Sequence, residues 1–562
     1  MQFFGTLNRL ADRRPFLLLS LSGLAMVFSF APFPFVPLAM VGLLPVLIVL
    51  ERRVAGPNAP QLSRWRRYWR AFKYAWVFFF VWNLGVNYWL YLTGHNYPDA
   101  GTRIAGFISG LMANLGNPVV QGLPLLVWVF LRRRLSFSWA LVVFPILWVG
   151  LEYFHFTWEL TWSWTTLGHA YALVPWYVQY IEWTGVLGAS FHLVLVNLLF
   201  FVWWKYQQNG FRPGRRFWAA GAALLLLPVV CYPLLTRSGR AVYQPEGHLN
   251  VRIIQPNLDP YGEKFNGLSP EEQMARMDSL IRSRPLDSVH LVLLPETAIP
   301  GGIEEKELAR YPYLRPLRQL VRNHRQLNIL TGIVARRYYA PGEPHLVSTR
   351  CRDDGFCWDS WNAATLLHQG QNQPDIYQKA RLVPFSERTP YMETLNMLKD
   401  YNLDLGGGFG SFAFPDSIRV LGMRNGTKIA PIICYESIFG MHVRKLVLKG
   451  ARLLTIITND GWWKQTSGYL QHSAFARFRA IETRRAIARS ANTGESAFYD
   501  ACGFQYQATP WWKMAVIDRC LPLLTGKTLY VSWGDWLGRG CLAAGILLWL
   551  AGAFLPKRRL PA

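Results

Sequence analysis

Three widely separated segments of this 562-residue chain carry residue types that together could perform nucleophilic chemistry on an acyl group. Cys434 stands where an apolar run meets a helical pattern. Glu296 follows another apolar run, and Lys379 opens a third segment that ends at Glu387. A thiol attacks as a thiolate, which a carboxylate base and a nearby cation help to form. The combination predicts covalent acyl chemistry, with Glu296 as base, Lys379 as oxyanion-stabilising cation and Cys434 as nucleophile.

The positions of these residues favour a shared site. Glu296 should emerge at the carboxyl end of a buried strand, where the sites of layered sheets gather. A strand-to-helix turn would expose Cys434 and surround an oxyanion with backbone N–H groups. Glu436 would fall near the first turn of that helix, and Glu387 could hold the ammonium of Lys379 or the substrate.

Each residue also has a plainer interpretation. Free cysteine is commonly a small buried apolar residue, Glu296 fits an ordinary turn acid, and a lysine and a glutamate in one loop often form a solvated pair. Two histidines that follow the cysteine, His442 and His472, invite a Cys-His interpretation without a matching acid or amide motif. For His472, on a helix of mixed polarity, hydrogen bonding or packing is the alternative.

Residues 237–536 alternate short apolar runs with amphipathic stretches, which is typical of a layered α/β domain. The predicted strands are 249–255, 289–295, 327–335, 361–368, 427–433, 452–458 and 495–500. The predicted helices are 270–284, 306–325, 438–449 and 469–489. This pattern predicts one compact domain.

Apolar residues make up 51% of the chain and concentrate in 14–236 and 537–556. Runs near the roughly 20 residues that cross a hydrocarbon core recur there between basic clusters. We predict eight spans, at 14–32, 36–50, 72–92, 104–131, 138–155, 184–204, 217–236 and 537–556. The predicted domains are a seven-helix membrane domain at 1–236, the α/β domain at 237–536, and a last span with its tail at 537–562.

Basic residues near membrane ends are preferentially kept in the cytoplasm, so their placement predicts orientation. Basic clusters lie before the first predicted span, follow the second, fourth and sixth, and follow the last at Lys557-Arg558-Arg559, whereas the alternate connections carry few or none. Both termini are therefore predicted to lie inside, and 237–536 to face outward.

The net charge of +25 would also suit a nucleic-acid-binding protein, but much of the excess lies beside predicted spans and no groove-reading motif accompanies it. A cleaved signal peptide is disfavoured, because no small-residue cleavage pattern follows the first apolar run. Metal binding is not indicated either, since the chain has neither a C-x-x-C pair nor an H-E-x-x-H signature. We expect no nucleic-acid partner, no metal and no cofactor.

Two of the seven cysteines lie in predicted spans and five in the outer domain. If Cys434 stays reduced for catalysis, the other four could form two disulfides in an oxidising compartment. The close pair Cys351 and Cys357 is the stronger candidate, and Cys502 with Cys520 is the weaker one.

Five motifs, in this order, resemble the nitrilase or carbon–nitrogen hydrolase superfamily. They are Gln255-Pro256-Asn257, Leu294-Pro295-Glu296, Lys379 through Glu387, Cys434-Tyr435-Glu436 and Thr458-Asn459-Asp460-Gly461-Trp462. The resemblance implies an αββα sandwich whose Glu-Lys-Cys triad acts through a thioester. An outward-facing domain of this kind on about eight membrane helices is similar to the apolipoprotein N-acyltransferases, and the likeness covers nearly the whole chain.

The resemblance implies roles for the motif residues. The triad is Glu296, Lys379 and Cys434, and the supporting or substrate-binding residues are Glu387, Tyr435 and Glu436. Phe265 falls near a position where some members carry a tryptophan.

The implied reaction is ping-pong, the last step of bacterial lipoprotein maturation. The cysteine takes an acyl chain from a glycerophospholipid, and the α-amine of a diacylglyceryl-cysteine apolipoprotein then accepts it. The implied location is the inner membrane, with the catalytic domain facing the periplasm. A membrane-tethered amidase that uses water as acceptor is the alternative, and a transporter or receptor whose domain only binds ligands is a third hypothesis.

Aromatic loops suit lipid substrates, because tryptophan favours the membrane interface. Three loops qualify, and they contain Trp462-Trp463, Trp511-Trp512 and the stretch from Trp158 to Trp164. We predict that at least one, with Trp462 as a candidate substrate-binding residue, lies at the membrane surface beside the acyl entrance. Core packing is the alternative for each.

Overall fold

A computed structural model describes residues 2–93, 100–237, 240, 243–264, 267–388, 390–391, 412–415 and 417–556. Phe265 and the basic tail at 557–559 lie outside the described residues. Contacts divide the chain into two units. The first comprises Met1–Trp89, Gly110–Arg237 and Trp533–Ala562, and the second comprises Leu90–Ser109 and Ser238–Ser532.

Helices and strands are numbered along the chain. The helices are α1 (Gln2–Arg13), α2 (Pro15–Val27), α3 (Pro37–Val41), α4 (Leu44–Leu50), α5 (Arg64–Asn87), α6 (Ala100–Arg132), α7 (Phe137–His155), α8 (Ile181–Thr184), α9 (Val186–Gln208), α10 (Arg215–Leu235), α11 (Pro270–Arg282), α12 (Arg315–Asn323), α13 (Gly440–Leu448), α14 (Ser467–Thr483), α15 (Leu529–Trp533) and α16 (Trp536–Phe554). The strands are β1 (Pro245–Gln255), β2 (Leu291–Leu293), β3 (Gly302–Glu304), β4 (Asn328–Tyr339), β5 (Arg350–Cys351), β6 (Cys357–His368), β7 (Asp375–Gln378), β8 (Leu421–Gly422), β9 (Lys428–Ile433), β10 (Leu453–Thr458), β11 (Ile487–Ala491), β12 (Ala497–Tyr499), β13 (Gln505–Tyr506) and β14 (Ala515–Leu524).

The first unit is helical. Among the described residues, five helices are long and apolar enough to cross a membrane, namely Gly106–Arg132 within α6, and α7, α9, α10 and α16. They coincide with the fourth to eighth predicted spans. These helices indicate a membrane region, as the distribution of apolar residues predicts.

The first three predicted spans take other forms. Helix α2 has 13 residues, which is short for a span. The second is divided into the two short helices α3 and α4, and each has a proline in its first turn. Proline is tolerated at the start of a helix but not in its interior, so the proline of α4 separates the two helices. Helix α5 begins at Arg64, with Ser63 as its cap, so its first half is basic rather than apolar. Length and hydropathy alone therefore do not give the predicted count of eight.

The second unit contains two β-sheets in its described part. One has the strand order β14-β1-β2-β4-β6-β5, with β3 beside β4 and β7 beside β6, and the other has the order β13-β12-β11-β10-β9-β8. Strands β1, β2 and β4 run parallel, as do β9, β10 and β11. The carboxyl ends of parallel neighbours meet at one edge of each sheet, which is where loop residues can converge.

Apolar side chains hold the sheets together in layers. One cluster joins the facing surfaces, with Val251 and Leu293 from the first sheet and Ile432 and Ile456 from the second. A second cluster packs α11 and α12 against the other face of the first sheet, while α13 and α14 pack on the second. The predicted α/β domain is confirmed, and its layers are helix, sheet, sheet and helix.

Each of the seven predicted strands overlaps an observed strand, but the predicted helix at 469–489 is wrong at its end. Helix α14 stops at Thr483, and Arg484 adopts a left-handed conformation with φ of +49°. Strand β11 follows at once, between β10 and β12. The apolar residues keep a helical spacing beyond Thr483, so the sequence pattern does not show that the helix ends at Arg484.

Candidate active site

The three predicted catalytic residues lie just beyond strand ends. Lys379 follows β7 directly, Cys434 follows β9 directly, and Glu296 follows β2 after two residues. Strands β2 and β9 belong to the two sheets that share one apolar cluster. The charges of Glu296 and Lys379 both act on the Cys434 thiol, so the fold brings these three distant points of the chain together.

Glu296 is buried, and both of its carboxylate oxygens accept hydrogen bonds. Its Oε1 accepts from Asn362 Nδ2 at 2.7 Å and lies 3.5 Å from Lys379 Nζ. Its Oε2 accepts from the Asn459 N–H at 3.0 Å. Asn459 follows β10, so the second sheet orients the carboxylate that the first sheet carries.

Lys379 is 1% exposed and lies between two acids. Its Nζ is 2.8 Å from Glu387 Oε1, closer than to Glu296. Burial works to lower the pKa of Lys379, but the charges of Glu387 and Glu296 outweigh it, and the pKa is raised. Glu387 is fixed in turn by the Val383 N–H, at 2.8 Å from its Oε2. The ammonium therefore stays charged next to the thiol.

Cys434 adopts a left-handed backbone conformation, with φ of +51°. Such a conformation is uncommon for a residue with a side chain and marks a constrained turn. Burial, and then the charge of Glu296, raise the pKa of the Cys434 thiol, while Lys379 opposes the rise. The resting thiol is therefore protonated at neutral pH, and a base must take its proton when it attacks.

Glu436 is fully buried two residues after the cysteine. Its carboxylate accepts hydrogen bonds from the backbone N–H groups of Ala380 at 2.6 Å and Ile433 at 2.8 Å, and from the Tyr377 hydroxyl at 2.8 Å. Burial raises the pKa of Glu436 to about 7, against the effect of these hydrogen bonds. The two backbone partners can only donate, so each carboxylate oxygen of Glu436 acts as an acceptor.

Two further predicted residues, Tyr435 and Trp462, follow site residues along the chain, and their rings pack against other aromatic rings. Tyr435 is buried, with its ring edge-on to Phe439 at 5.0 Å between centroids. Trp462 is half-buried, edge-on to Tyr261 at 5.4 Å, and its carbonyl accepts a hydrogen bond of 2.8 Å from the Tyr261 hydroxyl. Trp462 belongs to the 3-10 helix Asp460–Trp463, directly after Asn459.

The geometry does not favour the Cys-His interpretation. His442 Nε2 lies 2.9 Å from the Tyr377 hydroxyl, and burial lowers the pKa of His442 to about 3. His472 Nε2 lies 3.0 Å from the carbonyl oxygen of Cys434. In each of these contacts, a ring nitrogen of the histidine therefore lies beside an oxygen atom and not beside the Cys434 sulfur.

Asn362 is a site residue that the sequence reasoning missed. Its Nδ2 donates to Glu296 Oε1 at 2.7 Å and to Glu387 Oε1 at 3.1 Å, so one amide orients both acids. Its carbonyl oxygen also accepts from the Lys379 N–H at 2.8 Å. The sequence did contain a signal for this residue, since Asn362 precedes Ala363-Ala364 in the predicted strand 361–368. A side-chain amide in a core strand needs hydrogen-bond partners, which indicates a role for it.

Cys351 and Cys357 form a disulfide, as predicted. Neither Cys502 nor Cys520 forms a disulfide in the described part of the chain, so the second predicted pair is wrong. Cys520 lies in β14 and is exposed, whereas the Cys502 sulfur lies 3.4 Å from the Tyr243 hydroxyl. In the described part of the chain, one group of potential metal ligands combines the bonded pair with His345, and its sulfurs are not available as thiolates.

Together, these groups can perform acyl transfer. The Glu296 carboxylate and the Lys379 ammonium are buried, and the Cys434 thiol beside them is partly exposed. Glu387 and Asn362 fix the positions of the two buried groups. The arrangement supplies a base, a positive charge for an oxyanion and a nucleophile.

Sequence comparison identifies the family. The N-terminal domain of the apolipoprotein N-acyltransferases matches residues 22–199, and the carbon–nitrogen hydrolase domain matches residues 250–525. A protein from Chlorobaculum tepidum named apolipoprotein N-acyltransferase is 33% identical, over 97% of this chain and 98% of that protein. This chain belongs to the apolipoprotein N-acyltransferase family. A relative of the same name from Azotobacter vinelandii is 31% identical, over 96% of this chain and 94% of that protein.

The predicted resemblance to the apolipoprotein N-acyltransferases is therefore confirmed, and the chain is an acyltransferase. Among solved structures, the chain is also similar to an amidase of the nitrilase superfamily from Nesterenkonia. That likeness has 15% identity and a TM-score of 0.35, and it covers 53% of this chain and 98% of the amidase. The assignment to the apolipoprotein N-acyltransferases depends on the sequence matches.

Proposed function

We propose that this protein transfers a fatty acyl chain from a glycerophospholipid to the α-amino group of a diacylglyceryl-cysteine apolipoprotein through a Cys434 thioester. The observation that carries the proposal is the ion-paired group of Lys379, Glu296 and Glu387 beside a thiol with a raised pKa. The family to which the chain belongs supports the choice of acceptor.

In the first half-reaction, Glu296 takes the proton of the Cys434 thiol as the sulfur attacks the ester carbonyl of the phospholipid. Lys379 stabilises the negative charge that develops on the carbonyl oxygen. When the tetrahedral species collapses, the C–O bond breaks and the leaving alkoxide takes the proton from Glu296. Lysophospholipid leaves, and the acyl chain remains on sulfur.

In the second half-reaction, the α-amine of the apolipoprotein attacks the thioester carbonyl. Glu296 takes a proton from the attacking nitrogen, and Lys379 again stabilises the oxyanion. The C–S bond then breaks, and the released sulfur regains a proton from Glu296. The product is an amide, and the enzyme returns to its starting state.

We propose that residues 1–236 and 537–562 form the membrane domain and that 237–536 is the catalytic domain facing the periplasm from the inner membrane. The five long apolar helices and the basic residues beside the predicted spans support this placement. A membrane-bound enzyme can receive both substrates by lateral diffusion, whereas extraction from lipid costs roughly 0.8 kcal/mol per methylene. A surface position for the Trp462 loop is part of this proposal.

The test uses the purified full chain with a phospholipid labelled in its acyl chain and a diacylated lipopeptide. We expect a labelled acyl-enzyme that neutral hydroxylamine cleaves, followed by a triacylated peptide. Cys434→Ser should form no thioester, whereas Cys520→Ser, at an exposed free cysteine, should behave like the wild type. Release of labelled fatty acid without transfer to the amine would instead identify a hydrolase that uses water.

A further inference from the structure

A row of buried polar groups lies behind the nucleophile and is not used in the mechanism above. Arg489 Nη2 lies 2.7 Å from Asp460 Oδ2, and Asp460 Oδ1 lies 3.0 Å from His472 Nδ1. On the other side of the ring, His472 Nε2 lies 3.0 Å from the carbonyl oxygen of Cys434. The side chains of Arg489, Asp460 and His472 are all fully buried.

Proton counting restricts the state of the His472 ring. Asp460 is a carboxylate, because although burial opposes ionisation, Arg489 and then His472 hold its pKa below the usual range. An oxygen therefore faces each ring nitrogen at 3.0 Å, and Arg489 Nη2, which can only donate, lies 3.2 Å from Nδ1. Nδ1 can thus either donate to Asp460 or accept from Arg489. Nε2 faces the Cys434 carbonyl oxygen, which can only accept, so the ring must carry a proton on Nε2.

Ser437 does not remove this restriction. Its Oγ lies 2.8 Å from the Cys434 carbonyl oxygen and 3.0 Å from His472 Nε2. The hydroxyl has one proton and can give it to only one of them. If it donates to the ring, the close contact between His472 Nε2 and the Cys434 oxygen still lacks a proton. The contact is satisfied when the ring donates.

The carbonyl group that is hydrogen-bonded to His472 belongs to Cys434, whose backbone is constrained. Cys434 has φ of +51°, a conformation that its backbone does not favour, and the surrounding structure must maintain it. Two hydrogen bonds to its carbonyl oxygen, from His472 and Ser437, fix the peptide plane after the nucleophile. The direction of the thiol depends on that plane, since the Cβ atom is attached to the same backbone.

We propose that His472, with a proton on Nε2, is a positioning residue that fixes the Cys434 peptide, with Asp460 and Arg489 as its support. His472 touches neither the substrate nor the sulfur in this role. The groups that face its ring include Asp460, Arg489, Ser437, the Cys434 carbonyl and the Trp463 ring at 5.3 Å. This inference concerns the acylation step of the proposed function.

Two amide substitutions separate the two sides of the ring. In His472→Gln, the amide nitrogen can reach the place of Nε2 and donate to the Cys434 carbonyl. In His472→Asn, the shorter side chain can present a donor only on the Nδ1 side, towards Asp460. Both variants replace the ring by an amide, so they form a matched pair.

The measurements are single-turnover acylation of the full chain by a labelled phospholipid and the donor concentration at half-maximal rate. We expect the acylation rate to fall about 100-fold in His472→Asn and at most about tenfold in His472→Gln, with the half-maximal concentration unchanged. Equal losses in the two variants would overturn the proposal. So would a change confined to the half-maximal concentration.

A second measurement uses the wild-type protein and does not depend on the folding of a variant. In 15N-histidine-labelled enzyme under assay conditions, His472 is identified as the ring whose signals move when Cys434 is alkylated. We expect a proton on Nε2. A ring protonated on Nδ1 alone would overturn the proposal. If acylation is absent even in the wild type, the proposed function fails, while the spectrum still decides the state of His472.

Discussion

The carboxylate of Glu436 lies 2.6 Å from the backbone nitrogen of Ala380, the residue that follows Lys379. Its other oxygen lies 2.8 Å from the backbone nitrogen of Ile433, the residue that precedes Cys434. One buried side chain thus connects the segment with the ammonium to the segment with the thiol. The distance between cation and nucleophile therefore depends on a residue that need not touch the substrate.

Glu436→Gln should reduce the rate of Cys434 acylation about 10- to 100-fold. An amide has one acceptor oxygen, so its NH2 group would face a buried N–H donor of Ile433 or Ala380. An unsatisfied buried group costs about 1–3 kcal/mol, which the segments can relieve by moving apart. Single-turnover acylation measures the effect.

The control for this substitution is Glu307→Gln, the same chemical change at an exposed position. It should leave the acylation rate unchanged. If Glu436→Gln were also at the wild-type rate, the carboxylate would not set the distance between Lys379 and Cys434.

Glu387→Gln should move the alkaline limb of the acylation rate to lower pH. Burial lowers the pKa of Lys379, and Glu387 is the largest opposing charge, so removing it lowers that pKa. Above the new pKa, the amine is neutral and no longer stabilises an oxyanion. Because the wild-type pKa of Lys379 lies above its ordinary value, the profiles must extend above pH 10. We expect the rate of the variant to fall at a pH about one to two units below that of the wild type. An unmoved alkaline limb would show that Lys379 does not depend on Glu387.

Part of the site could be predicted from the sequence because Glu296 and Cys434 each follow an apolar strand, and strand ends converge in layered sheets. Lys379 follows β7, a strand of mixed polarity that was not predicted. A run of apolar residues with a polar residue after it is visible without coordinates. The resemblance to a known family then added the order of the motifs.

The groups that orient the triad were harder to predict, because their role depends on contacts across the sheets. Asn362 lies inside β6 and reaches Glu296 only when β2, β4 and β6 assemble, and Glu387 only when β7 pairs with β6. His472 was considered as a partner of the thiol, but the fold places it on the Cys434 carbonyl. The periodicity of apolar residues predicts which face of a helix is buried, but it does not predict which atom a side chain on that face contacts.

Gly332→Ala should impair acylation although the glycine carries no chemistry. A Cβ at this position in β4 would come within 2.4 Å of the Thr297 nitrogen and 2.7 Å of the Glu296 Cα, closer than these atoms can approach. Since both are backbone atoms, the segment with the base must move. We expect the acylation rate to fall about tenfold or more. Gly422→Ala is the matched control, because its added Cβ would meet open space in β8.

Glu296→Gln should change two properties of Cys434 in opposite directions. Loss of the base should lower the rate of acylation by phospholipid about 10²- to 10⁴-fold. The negative charge of Glu296 also helps to raise the pKa of the thiol, so its removal lowers that pKa and increases the thiolate fraction at a given pH. Alkylation of Cys434 by iodoacetamide at pH 8 needs only the thiolate and should become about tenfold faster. The two rates are measured on the same preparation, with Glu307→Gln as control. A parallel fall in both rates would mean that Glu296 holds the thiol in place rather than accepting its proton.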